Sequence, residues 1–164
     1  MPDHDHPAQA FHREVDQAVA RFEELHRERL QCTRGCSGCC VDGITVFEIE
    51  AELIRLRHGE LLAAAQPHPE GGCAFLDGEG ACRIYADRPY VCRTQGLPLR
   101  WVEDGVEKRD ICGLNEPGPP LVQLRTSACW PIGPAETKLR ALQLAACGDL
   151  TRVPLRALFD PTSR

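Results

Sequence analysis

Between positions 8 and 30 the apolar residues Phe11, Val15, Val19, Phe22, Leu25 and Leu30 recur at three- to five-residue intervals among Arg and Glu. That is the period of a helix with one buried stripe, and Glu23 and Arg27 stand four apart on its polar side. The spacing predicts an amphipathic helix over 8–31, preceded by a flexible tail over 1–7. In that tail His4 and His6 flank Asp5, and a solvated segment is a better reading of them than a chelating one. Beyond residue 40, Ile44 to Val46 reads as a short extended piece. Ile49, Leu53, Ile54 and Leu56 then form the expected buried stripe of a helix from about Phe47 to Arg57, stopped by Gly59. A weaker helix is expected over Leu61–Ala65, before Pro67, Pro69, Gly71 and Gly72 break the chain.

Two hairpins are predicted next, CAFLDGEGACRIY turning at DGEG and LPLRWVEDGVEKRDIC turning at EDG, where glycine supplies the positive φ of a tight turn. Between them ADRPYVCR reads as a single helical turn with Pro89 near its start. A loop, NEPGPP, precedes a C-terminal helix over about Pro134–Cys147 with Leu139, Leu142 and Leu144 apolar, and the remaining residues read as irregular. There is no internal repeat. The expected fold class is α+β: a small cysteine-rich, metal-organised domain with N- and C-terminal helices and two short hairpins. Its regions are the cysteine cluster over 32–115 and a C-terminal helix and tail over 116–164 packed on the same domain.

Composition narrows the function classes. The chain has 164 residues, one domain by length. A net charge of -5 with interspersed Lys and Arg argues against a nucleic-acid partner. No run of apolar residues is long enough to span a bilayer, and the N-terminal residues lack an export pattern, so a cytoplasmic location is expected. In a reducing compartment ten cysteines read as metal ligands or redox groups before they read as disulfides.

Eight of those cysteines, Cys32, Cys36, Cys39, Cys40, Cys73, Cys82, Cys92 and Cys112, lie among glycines, prolines and hairpin ends. Turns built on Gly35 and Gly38 let sulfurs three and four residues apart converge. Zn²⁺ and a [4Fe–4S] cluster each take four thiolates, so eight divide into two sets. If the chain is extended at Cys39 and Cys40, the two adjacent sulfurs face apart and serve different centres. Cys32, Cys36 and Cys39 then belong to one centre and Cys40 to the other, with Cys73, Cys82, Cys92 and Cys112 completing both. Arg34, Arg83 and Arg93, placed beside cysteines, are candidate donors to sulfur. Cys129 and Cys147 read as small buried hydrophobes, Tyr85 as a core aromatic, and His58 and His68 as surface residues at loop edges.

CTRGCSGCC, followed by CAFLDGEGACRIYADRPYVCR and the cysteine of KRDIC, resembles the YkgJ-like cysteine-cluster family, the CxxCxxCC zinc- or iron-chelating domain. The likeness runs from about Cys32 to Cys112, and it implies metal binding through the same eight cysteines. This chain departs from it in opening with CxxxCxxCC and in carrying Thr94 and Gln95 where relatives have an aromatic. Cys32, Cys36 and Cys39 alone are also similar to the CxxxCxxC signature of radical S-adenosylmethionine enzymes. That signature sits on a partial β/α barrel, and no alternating βα pattern surrounds it here.

The leading expectation is a small soluble metal-binding protein holding Zn²⁺ or an iron–sulfur centre in two cysteine sites. It has no catalytic group of its own, since no hydrolytic triad, paired-carboxylate motif or phosphate loop is present. The alternatives are a metal-stabilised module that meets a protein partner through its helix or hairpin, and an iron–sulfur S-adenosylmethionine-dependent methyltransferase-like enzyme. The metal itself stays open between zinc and iron, because all-thiolate ligation suits both.

Overall fold

In the computed structural model residues 5–163 are described, and the chelating candidates Asp3 and His4 lie outside them. The first helix, α1 (Pro7–Leu25), starts earlier than the periodicity indicates, because His6 caps it: its Nδ1 accepts from the Ala8 N–H at 3.2 Å, and Pro7 occupies the first turn. His6 and Pro7 therefore belong to a helix start, not to a tail. The helix also ends earlier, at a turn where His26 Nε2 hydrogen-bonds the Ala128 carbonyl at 2.7 Å, which leaves Leu25 exposed.

A short strand β1 (Thr45–Phe47) leads into α2 (Glu48–Ala64). Gly59 does not stop this helix; the two expected helices form one element kinked at His58 (φ -121°, ψ 24°). Its buried surface is wider than one stripe. Ile49 and Leu53 face a core cluster shared with Phe11, Val15, Val19, Tyr90, Leu97, Trp130 and Leu139, whereas Ala51, Ile54 and Leu62 face a second cluster with Phe75, Ile84, Leu155 and Leu158. Leu56 follows the first face in register but is 71% exposed, because the covering layer does not reach past Leu53. Two cores on either side of one helix mean that burial of apolar side chains holds much of this fold.

The helical turn ADRPYVCR is a 3₁₀ turn (Tyr85–Asp87) followed by α3 (Tyr90–Arg93). Tyr85 is 65% exposed and belongs to no core; Arg88 stacks on its ring at 4.1 Å. His58 is not a free loop residue either: its Nε2 lies 2.9 Å from the Asp87 carboxylate.

One expected hairpin forms, β2 (Leu99–Glu103) with β3 (Val106–Asp110), closed by Asp104 and Gly105, both at positive φ. The other, around DGEG, is reduced to a single bridge between Leu76 and Cys82. There the Asp77 carboxylate accepts from the Glu79 and Ala81 N–H groups and closes a turn too tight for a ladder. A two-residue strand β4 (Trp130–Pro131) runs parallel to β2, and α4 (Ile132–Cys147) follows, ended by Gly148 at φ 78°. The residues after it are not irregular: β5 (Arg152–Pro154) pairs antiparallel with β1, and a 3₁₀ segment then buries Leu155 and Leu158. Among the described residues no helix is long and apolar enough to cross a membrane.

Candidate metal centre

The run from Cys32 to Cys40 is two successive tight turns. The Cys36 N–H donates to the Thr33 carbonyl (3.0 Å), with Gly35 at φ 85°, and the Cys40 N–H donates to the Ser37 carbonyl (2.9 Å). The chain is thus turned at Cys39 and Cys40, not extended, and the alternation argument for separating them loses its premise. From Cys40 the backbone hooks onto the next ligand segment, its carbonyl accepting from the Cys73 N–H at 2.9 Å. Cys82 stands on the bridge opposite Leu76, Cys92 on α3, and Cys112 just beyond β3, before a 3₁₀ turn (Gly113–Asn115).

Seven of the eight cysteines, Cys32, Cys36, Cys39, Cys40, Cys73, Cys82 and Cys92, line one cavity of about 500 Å³. Its remaining wall is largely apolar, with Leu30, Ile44, Phe75, Ile84, Leu97 and Leu155. Cys112 does not line it. The sulfurs surround this space without closing on a point: among the described residues no three His, Cys, Asp or Glu side chains are gathered tightly enough to hold one ion.

Burial and one another's charge raise several of these thiols. Burial pushes the Cys40 thiol up to about 12, with the charges of Cys39, Cys73 and Cys82 adding to it. Cys92 is pushed higher still by burial, then by Cys73, Cys82 and Cys40. Cys82 rises by burial and by Cys73, partly opposed by Arg88 and Arg83. Cys39 rises by burial too, opposed by a hydrogen bond with Cys40 and raised further by the charges of Cys36 and Cys32. Thiols packed this way repel one another as thiolates in a poorly solvated space, and a bound cation relieves both penalties. The donor set therefore fits zinc or iron.

Of the arginines beside the cysteines, Arg34 lines the cavity, whereas Arg83 and Arg93 are taken up by backbone and carboxylate rather than by sulfur. Arg83 donates to the Gln66, Ala74 and Phe75 carbonyls, and Arg93 to those of Arg88 and Ala86 and to Asp16 at 2.6 Å. They fix the loops that carry Cys82 and Cys92. Cys129 is buried as expected, but Cys147 is exposed near the end of α4.

Several groups that shape the site carry no local signature. Glu50, 3% exposed, accepts from the Tyr90 N–H at 2.7 Å and so anchors the start of α3, while His12 Nε2 lies 2.8 Å from the same oxygen. Arg156 donates to both Asp42 oxygens and to the carbonyls of His68, Pro69 and Gly72, clamping the loop that delivers Cys73 beside Cys40. That contact holds the Asp42 carboxyl below the usual range. Arg29 donates to the carbonyls of Glu116, Pro117 and Pro119. No local signal marks Glu50, which stands between Glu48 and Glu52 as one of three alternating glutamates.

Comparison with known proteins gives one family. The profile of the CxxCxxCC family, described as a zinc- or iron-chelating domain, matches residues 31–113, half of the chain. No curated protein and no solved structure matches.

Proposed function

This chain belongs to the CxxCxxCC family, and from that premise we propose that it is a metal-binding protein with two cysteine centres, the region 32–115 being the metal-binding unit on which 116–164 packs. The observation that carries the reading is the single cavity lined by seven cysteine sulfurs and apolar side chains. Cys40, Cys73, Cys82 and Cys92 would hold one centre, since each of Cys40, Cys82 and Cys92 feels the charge of Cys73. Cys32, Cys36 and Cys39 would hold the other, with Cys112 as its fourth thiolate.

The size of the cavity favours a polynuclear iron–sulfur centre over isolated zinc ions. At a Zn–S bond of about 2.3 Å, four tetrahedral sulfurs stand about 3.8 Å apart and leave no void between them. Seven sulfurs around about 500 Å³ leave room for a cluster that occupies the space itself. When bound, such a centre would supply one-electron transfer or a site for a metal ligand. The protein's own contribution is to exclude water with Phe75, Ile84 and Leu155 and to hold the loops through Arg83, Arg93 and Arg156.

The test is purification without air, followed by absorbance spectroscopy and iron, sulfide and zinc analysis. Absorbance near about 400 nm, from sulfur-to-iron charge transfer, with iron and sulfide in comparable amounts is the expected result. Colourless protein with stoichiometric zinc would refute the cluster, and protein holding neither metal would refute metal binding.

A further inference from the structure

Asn115 lies just outside the family-matched segment, and none of its surface is exposed (0%). Its Oδ1 accepts from the Gln31 N–H at 2.7 Å, and its Nδ2 donates to the Gly96 carbonyl at 2.9 Å. The same Nδ2 is 3.4 Å from Cys32 Sγ, and the Asn115 N–H donates to the Cys112 carbonyl at 2.8 Å. The amide orientation follows from its partners, because a flip would set oxygen against carbonyl and N–H against N–H. One buried side chain therefore ties together the segment bearing Cys32, the turn after Cys92 and the segment bearing Cys112.

Gly96 completes the arrangement from the opposite side. Its φ is +94°, and a Cβ there would stand 2.6 Å from Cys32 Sγ and 3.1 Å from Asn115 Nδ2. The Cys32 sulfur thus seats on a bare α-carbon, between a backbone that cannot carry a side chain and an amide aimed at it. Cys32 is otherwise exposed.

We propose that Asn115 is a positioning residue of the metal centre, donating an N–H···S hydrogen bond that holds the Cys32 sulfur toward the cavity. For its ligand this rests on the metal-binding reading above; its geometry stands without it. A donor to a thiolate favours the charged sulfur and draws electron density from it. Asn115 therefore both retains Cys32 as a ligand and raises the reduction potential of an iron–sulfur centre bound there.

Asn115→Asp keeps the shape and the acceptor for Gln31 but turns the donor facing both Cys32 and the Gly96 carbonyl into an acceptor. Gly96→Ala displaces the same sulfur independently. Both are compared with wild type by residue-resolved alkylation, on protein purified without air and again after chelator treatment. In the metal-loaded form Cys32 should react about tenfold faster in either variant, the factor expected for one lost hydrogen bond to a charged group; after chelator treatment Asn115→Asp should instead make it react more slowly, because losing the donor disfavours the reactive thiolate. Cys40, Cys73, Cys82 and Cys92 should be unchanged. If the purified protein carries an iron–sulfur centre, Asn115→Asp should also lower its potential. Unchanged Cys32 reactivity would overturn the proposal, as would a parallel rise at all cysteines, which would make Asn115 a general fold residue. Wild-type protein without iron or zinc would sink the metal reading alone, and the chelator-treated comparison would still decide the role of Asn115.

Discussion

Replacing Glu50 with alanine tests how far the cysteine site depends on a buried polar contact. Glu50 and His12 are 3% and 4% exposed, and one carboxylate oxygen serves both His12 Nε2 and the Tyr90 N–H. Glu50→Ala leaves an imidazole and a backbone N–H buried without a partner. Breaking such a pair from one side costs about 3–5 kcal/mol, a large part of a total stability of about 5–15 kcal/mol. For a chain of this size that lowers Tm by about 6–20 °C. Because Tyr90 begins α3, whose single turn carries Cys92, the loss also frees a proposed ligand. The double variant His12→Leu with Glu50→Leu removes both members and orphans only the Tyr90 N–H, at about 1–3 kcal/mol, so it should be more stable than Glu50→Ala. Urea unfolding followed by circular dichroism, with midpoints compared at constant slope, measures each. A Glu50→Ala loss below about 1 kcal/mol, or a double variant weaker than the single one, would refute the reasoning.

Other consequences follow from the same geometry. Arg156→Ala should release the 68–73 loop and weaken metal retention about tenfold against a competing chelator, as loss of a supporting contact does; Arg156→Lys should not restore it, because a single ammonium cannot replace the fork that spans Asp42 and three carbonyls. In metal-free protein the raised thiols of Cys39, Cys40, Cys82 and Cys92 remain protonated at pH values where an unfolded thiol, near about 8.5, has ionised. The folded state then binds more protons, so its stability should be intact below about 8.5 and decline as pH rises, continuing toward the Cys40 value of about 12. The metal-loaded protein, its thiolates already formed, should instead lose metal as pH falls; pH-dependent melting of both forms checks the two signs. Gly105→Ala, at φ 76° with open space around it, should cost about 1–2 kcal/mol through backbone strain alone and leave metal content unchanged by elemental analysis.

The sequence by itself determined what depends on neighbours along the chain. Phe11, Val15 and Val19 at helical spacing mark α1, and Asp104-Gly105 marks the one full hairpin, because periodicity and turn chemistry act over a few residues. The cysteine spacing and the IYADRPYVCR string marked the family, now matched over residues 31–113. What only the tertiary structure decided depends on partners far away in sequence. β1 pairs with β5, which reads locally as an irregular tail, and α2 is buried on two faces that a single stripe does not describe. Tyr85 is wet and Tyr90 buried although both are aromatic residues of one short segment, because only Tyr90 meets Phe11 and Trp130. Asn115, Glu50 and Arg156 look like ordinary polar residues until the fold brings them to Cys32, Tyr90 and Asp42. A buried polar group is placed by whichever donor or acceptor needs it, and that need arises only when distant segments have met and water has been excluded between them.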